Sequence, residues 1–404
     1  MNHTFNVIPN PVLSEAESPA AGAIQPDQRL RERADLRHLF AGLVCVLIAV
    51  GIQMVQSASL TSMPSESDRT FVSRHLAYLA ISLGCGLLAA KVPSGLLRKH
   101  ASLMLKVLIL LLILVLIPGI GTRVNGSQRW LRLGGLSMQP SEFGRLVLPL
   151  VASTMVVSLR QSGRMTLKTV PAVVLPLLLV IPLVIAEPDL GATAFLALGY
   201  ILALFIGGWP LRYFFGSLLL AAPAAASLLI LRPYQLKRIT GFMDAWQDLS
   251  KAPWQIRQSL LSLGSGGLEG TGVGSGWQKL SYLPEANTDF VFAVIGEELG
   301  LLGTVTIIVI WLGIFVTGRA SLRHLDRNSF EWVLGNTLLF QLVFQAFANV
   351  AVVTAMVPPK GVPHPFISYG GTNLLVNVVA VGLLIGLSRN GPPALRTDRE
   401  SQQL

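Results

Sequence analysis

The chain has 404 residues, 52% of them hydrophobic and 13% charged, with 31 Lys and Arg against 21 Asp and Glu for a net charge of +10. The apolar residues lie in long uninterrupted runs, which excludes a soluble globular protein; because the runs do not alternate, it also excludes a transmembrane β-barrel. The composition predicts an all-α, polytopic integral membrane protein, and no nucleic-acid partner is expected.

Residues 1–36 contain Pro, Ser, Ala and charges without an apolar core, so a disordered cytoplasmic tail is expected there and not a signal peptide. A membrane span needs roughly 20 apolar residues. Ten runs qualify, at about 39–56, 75–91, 101–120, 140–158, 170–187, 189–208, 212–231, 290–317, 331–357 and 366–387. They form one domain over 37–390, followed by a C-terminal tail at 391–404. Cys45 and Cys85 fall inside spans without paired spacing, so they read as small apolar residues and not as a disulfide or metal site.

Lys and Arg near span ends stay on the cytoplasmic side. This rule places both termini inside, together with Lys91, Arg98 and Lys99, Arg160, Arg164 and Lys168, and Arg319, Arg323 and Arg327. Two outer loops break the rule: 121–139 carries Arg123, Arg129 and Arg132, and 232–289 carries Arg232, Lys237, Arg238, Lys251, Arg257 and Lys279. An anionic ligand explains this excess; contact with lipid headgroups is the bland alternative.

Between the fourth and sixth spans, Glu142 and Arg145 sit three apart, close enough to pair on a helix, and Glu187 and Asp189 flank Pro188 in a tight connection. Each has a structural alternative, a helix-holding ion pair in one case and a polar turn in the other. The large extracytoplasmic loop 232–289 is long enough to expect function. Its Trp254–Leu263 segment suits a short helix at the membrane interface, and seven glycines between Gly264 and Gly276 let backbone approach a ligand or simply make a flexible linker.

That loop ends in Pro284-Glu-Ala-Asn-Thr-Asp-Phe290, which runs straight into a long apolar helix with Asp289 at the junction. Ionisable groups at a bilayer edge are costly and usually kept for chemistry, although Asp289 or Thr288 would also serve as an ordinary helix cap. Glu297 lies eight residues further, roughly 12 Å along a helix, so a supporting role is expected of it. Thr337, Gln341, Gln345 and Asn349 recur every four residues in the ninth run and share one helix face, as do Asn373 and Asn377 in the tenth. Interhelical hydrogen-bonding glue and ligand contact are both open readings for these stripes.

Several of these segments together resemble one family. Trp130-Leu-Arg-Leu-Gly, Gln139-Pro-Ser-Glu-Phe, Glu187-Pro-Asp-Leu-Gly, Gln278-Lys-Leu-x-Tyr-Leu-Pro-Glu-Ala-x-Thr-Asp-Phe, Gly296-Glu-Glu-Leu-Gly and Pro365-Phe-Ile-Ser-Tyr-Gly-Gly are similar to the SEDS proteins (FtsW, RodA and SpoVE), in family order over about 39–390. The resemblance implies a ten-span glycosyltransferase that polymerises lipid II on the outer face of the bacterial cytoplasmic membrane. It also implies a class B penicillin-binding transpeptidase and other division-complex membrane proteins as partners. The family's essential aspartate falls on Asp289 and its Gln-Pro-Ser-Glu glutamate on Glu142. Pro358-Pro-Lys-Gly-Val-Pro resembles the division-type form more than the elongation-type (RodA-like) one. Departures are Asn287 for the usual His, Gly276-Trp277 for a Ser-containing pair, Arg145 for Lys, and Thr372-Asn373 for Ser-Ser.

On this reading Asp289 is the general base. Arg123, Arg129, Arg132, Arg145, Arg238 and Lys279, with Glu142, Glu187 and Asp189, are the candidate substrate-binding residues. Glu285, Asn287, Thr288, Glu297 and Ser368 are expected to support them; no cofactor is assigned, and assistance by a divalent cation (Mg2+ or Mn2+) stays open. A lipid II flippase and a non-catalytic scaffold for the transpeptidase stay open as alternatives.

Overall fold

A computed structural model describes residues 26–58, 66–124, 126–133, 136–216, 242–243, 248, 250, 252–277, 283–358 and 360–389. Its principal helices are α1 (Pro26–Ala58), α2 (Glu66–Ala89), α3 (Ser94–Leu116), α4 (Pro140–Gln161), α5 (Val170–Ala186), α6 (Leu190–Ile206), α7 (Trp254–Ser265), α8 (Val291–Leu322), α9 (Phe330–Val353) and α10 (Gly371–Leu387). Seven helical segments among the described residues are long and apolar enough to cross a membrane, and α6 and α10 are shorter apolar helices. Nine of the ten predicted runs thus coincide with apolar helices, while 212–231 lies largely outside the described residues.

Three differences from expectation stand out. The first helix starts at Pro26, inside the segment 1–36 expected to be a disordered tail. The 121–139 loop is a small antiparallel sheet, β1 (Gly121–Val124), β2 (Ser127–Leu133) and β3 (Leu136–Met138), so the fold is mainly and not wholly helical. The eighth run breaks at Gly300, whose φ of 64° and ψ of −162° are not helical. A side chain there would meet Leu268 O and Gly270 N at 2.5 Å, so glycine is required by both conformation and space.

Helices α4 and α9 form the centre. Their apolar windows are 61% buried, against 22% for α3 and α5, and the polar Arg145, Ser153, Gln341, Gln345 and Asn349 are buried in protein. Pro140 starts α4 at a position where the missing N–H costs nothing, and Glu142 occupies its first turn. α4 packs against α3, α6, α9 and α10; α9 packs against α6, α8 and α10; α1 packs on α8, and α2 on α10.

Above this bundle the sheet is pinned to the middle of α2 and the end of α3. Gln128 Nε2 donates to Val115 O and Ile117 O at 3.1 and 3.0 Å, and the Tyr78 hydroxyl donates to Ser137 O at 3.0 Å while accepting from Ser137 N at 2.7 Å. α7 buries Ile256, Gln258, Ser259 and Ser262 and exposes Trp254 and Leu261. This polar-in, apolar-out arrangement agrees with the expected interfacial helix. Cys45 is exposed on α1 and Cys85 half-buried on α2, both as free thiols.

Candidate functional site

The central helices, the sheet and the two turns at 285–289 and 360–370 enclose a cavity of about 550 Å³. Arg129, Glu142, Arg145, Asp189, Glu285, Thr288, Asp289, Gln345, Lys360 and Asn373 line it.

Strand periodicity decides which arginine enters. Successive side chains of β2 point to opposite faces, and the sheet turns Arg129 inward to Asp189 at 3.0 Å while Arg132 is exposed. Arg123, on β1, is exposed and donates to Gln128 at 3.3 Å. Arg123 and Arg132 therefore do not line the cavity, contrary to expectation. Arg238 and Lys279 lie outside the described residues. Asp189 also caps α6, accepting from Ala192 N at 2.9 Å, and receives Gln139 Nε2 at 3.3 Å, so one carboxylate locks a helix start, a strand and α4 together.

At the floor the predicted pair forms, with Arg145 Nη1 donating to Glu142 Oε2 at 2.9 Å. The same carboxylate oxygen accepts from Asn373 Nδ2 at 3.1 Å. Arg145, 7% exposed, also donates to Gln345 Oε1 and, at 3.1 Å, to Asn377 Oδ1. The stripes on α9 and α10 thus divide. Gln345, Asn373 and Asn377 hold this ion pair, whereas Thr337 bonds its own helix at Val333 O, 2.7 Å away. Gln341 packs on Gly199 with no hydrogen bond among the described residues.

Asp289 sits in the turn that leads into α8. The residue at the helix boundary is Phe290, so Asp289 does not occupy the N-cap position. Asp289 Oδ2 lies so close to Gly361 that a Cβ there would stand 2.8 Å from it. Ser368 Oγ donates to Thr288 O at 2.5 Å and accepts from His364 N at 2.7 Å; Tyr369 N donates to Asn287 O at 2.8 Å. Thr288 Oγ1 donates to Glu285 Oε2 at 2.7 Å. Thr288, Asn287 and Ser368 therefore stitch the Asp289 turn to 364–369, and Glu285 joins the lining itself. Behind the turn His364 is fully buried and stacks parallel to Phe292 at 6.0 Å, and burial pushes its imidazole down to about 4, so it packs as a neutral ring.

Glu187 and Glu297 stand apart from the cavity. Glu187 is wholly buried without a hydrogen bond of ordinary geometry to either carboxyl oxygen. Burial and the neighbouring Asp189 push its carboxyl up to about 8, and Ser141 and Arg129 pull the other way without offsetting them. Glu297 and Glu298 act on the glycine-rich loop instead: Trp277 N donates to Glu297 Oε1 at 2.7 Å and Gly274 N to Glu298 Oε2 at 3.0 Å. Ser57 Oγ of α1 donates to both oxygens of Glu298 at 2.7 and 2.8 Å.

Sequence reasoning missed Lys360 as a site residue. It stands at the cavity mouth and makes no ion pair among the described residues. Its signal was a lone cation in an otherwise charge-free Pro358–Phe366 segment, which the distribution of Lys and Arg predicts to lie on the outer side, where positive charge is disfavoured. The assembled site brings three cations, two of them paired to Asp189 and Glu142, into one recess with the Glu285 and Asp289 carboxylates, groups of the kind that bind a diphosphate and deprotonate a hydroxyl.

Comparison with known proteins identifies the family. Residues 37–391 match the FTSW_RODA_SPOVE family, described as cell cycle protein. A probable peptidoglycan glycosyltransferase FtsW of Trichlorobacter lovleyi is 36% identical over 348 residues, covering 86% of this chain and 91% of its own. A protein of the same name from Coxiella burnetii is 37% identical over 358 residues, covering 86% and 95%. Among solved structures, a chain from a peptidoglycan synthase complex that coordinates polymerization and crosslinking superimposes with a TM-score of 0.70 at 24% identity, covering 87% and 96%. The rod shape determining protein RodA of Thermus thermophilus does so with a TM-score of 0.62 at 24% identity, covering 87% and 95%. These two share the fold, and the family match with the closer sequence relatives settles the affiliation: the chain belongs to the FtsW/RodA/SpoVE family of cell cycle proteins.

Proposed function

We propose that this chain is a peptidoglycan glycosyltransferase that polymerises lipid II into glycan strands at the outer face of the bacterial cytoplasmic membrane. The observation that carries the reading is the shared cavity of Asp289 with Arg129, Arg145 and Lys360. Asp289 accepts the proton of the acceptor's 4-hydroxyl as that oxygen bonds to the donor's anomeric carbon. The bond from that carbon to the diphosphate oxygen breaks in the same displacement, with inversion, and the undecaprenyl diphosphate leaves with the electron pair. Because the leaving group is already anionic, cations suffice to stabilise it and no second acid is required.

No three His, Cys, Asp or Glu side chains cluster as metal ligands among the described residues. A Mg2+ or Mn2+ ion would arrive with the diphosphate, as hard cations commonly do, and would add to the neutralisation of its charge.

In this reading the chain has ten spans, both termini lie in the cytoplasm and the loop between the seventh and eighth spans lies outside, which the distribution of Lys and Arg supports. Pro358-Pro-Lys-Gly-Val-Pro and the FtsW relatives favour a division-site role with a class B penicillin-binding transpeptidase and further division proteins as partners. The test is reconstitution of the purified chain on labelled lipid II, with and without its transpeptidase, reading polymer length by gel. Polymer is expected, and Asp289→Ala should abolish it while leaving the protein folded and inserted. Full activity in that variant, or lipid II crossing vesicles with no polymer formed, would overturn the proposal.

A further inference from the structure

Asn349 on α9 is wholly buried, and its side-chain nitrogen donates to two carbonyls from different parts of the chain. One bond reaches Asp289 O at 2.7 Å and the other Val362 O at 2.7 Å. An amide nitrogen has two hydrogens, and both are used here. One helical turn earlier Gln345 Nε2 donates to the adjacent carbonyl, Pro363 O, at 2.7 Å, while its oxygen accepts from Arg145. Two amides at i and i+4 therefore grip consecutive carbonyls of the segment that carries Lys360 and Gly361. The hydrogen-bonded path runs from Glu142 through Arg145 and Gln345 to Pro363, then from Val362 through Asn349 to Asp289.

The acceptor end of Asn349 argues against simple interhelical glue. Its Oδ1 is buried with no hydrogen bond among the described residues. An unmet buried acceptor costs stability, so this side chain gives some up to place two donors. Those donors fix the backbone of Asp289 against the ribbon whose Gly361 touches the Asp289 carboxylate.

We propose that Asn349 is a positioning residue that sets the spacing between the Asp289 carboxylate and the Lys360–Val362 ribbon, with Gln345 tying the same ribbon to Arg145. The proposal rests on the reading of Asp289 as the base. Misplacing a reacting group by about 1 Å costs on the order of 10²-fold in rate, and loss of both donors frees the Asp289 turn and the ribbon together.

The test uses the full-length chain with its transpeptidase in lipid nanodiscs, assayed on labelled lipid II across a pH series. Asn349→Ala should lower kcat by about tenfold or more with KM within about twofold, and should move the acid limb of the pH–rate profile. Gln341→Ala removes a buried amide from the same helix face without touching the site, and should keep the wild-type kcat and pH profile. Asn349→Ser keeps a single donor in a smaller volume and should fall between Ala and wild type; it decides the matter where the alanine variant does not accumulate in membranes. Wild-type kcat and pH profile in Asn349→Ala or Asn349→Ser, or an equal loss in Gln341→Ala, overturns the positioning role. Asp289→Asn, run alongside, separates the two claims. Activity in that variant defeats the base assignment, whereas an inactive Asp289→Asn beside a normal Asn349→Ala defeats only the positioning proposal.

Discussion

Gly361→Ala is the sharpest probe of how the base is held. Its backbone lies outside the left-handed region, so alanine fits the main chain without strain. The added methyl would stand 2.8 Å from Asp289 Oδ2, about 0.6 Å inside the 3.4 Å at which ordinary van der Waals contact begins. The carboxylate must yield by that amount. With about 1 Å of misplacement costing on the order of 10²-fold, a shift of this size corresponds to roughly tenfold in kcat, about 1.4 kcal/mol of barrier. KM should change little, because Arg129 and Arg145 are untouched, and the thermal midpoint should stay close to wild type because Gly361 is exposed at the cavity and the methyl displaces no core side chain. Initial rates on labelled lipid II at saturating substrate, with melting curves on the same preparations, measure both. A kcat within about twofold of wild type would refute the idea that the carboxylate position next to Gly361 limits the reaction.

Two further perturbations address stability. Arg145→Met strands Glu142, Gln345 and Asn377 at the cavity floor, and removing one member of a buried ion pair costs about 3–5 kcal/mol, so a clear fall in the detergent melting midpoint is expected. An unchanged midpoint would contradict the network. For Glu187 the folded state holds the proton more tightly than the unfolded chain, so stability is full below the ordinary value of 4.5 and is lost as pH rises toward about 8. Glu187→Gln stays neutral, and its melting midpoint should gain on wild type between pH 5 and pH 8; parallel curves would contradict the burial argument.

The spans were legible because unbroken apolar runs admit one solution in lipid. The Glu142–Arg145 pair followed from spacing alone, as did the shared face of Gln345 and Asn349. What went unread had signals of another period. Asn-Gly at 125–126 and Gly-Gly at 134–135 are two-residue hairpin signals in the sequence on either side of Ser127–Leu133, yet three short strands are overlooked beside helices of 20 residues or more. Adjacent Glu297 and Glu298 inside an apolar run were likewise a mark that its first turns belong to protein and not to lipid, and the chain does break just after them at Gly300. Lys360 was beyond periodicity altogether, because only tertiary folding brings the segment between α9 and α10 over Asp289.

The partners of Arg145 raise a question of timing during synthesis. Gln345 and Asn377 are encoded 200 and 232 positions after it, whereas Glu142 precedes it by three. At about 5–20 residues per second, roughly 10 to 45 seconds separate the emergence of the arginine from that of its distant acceptors. Throughout that interval Glu142 is the one acceptor of the finished network already made, so the local pair shields a nascent helix from carrying a bare cation until the last two helices arrive.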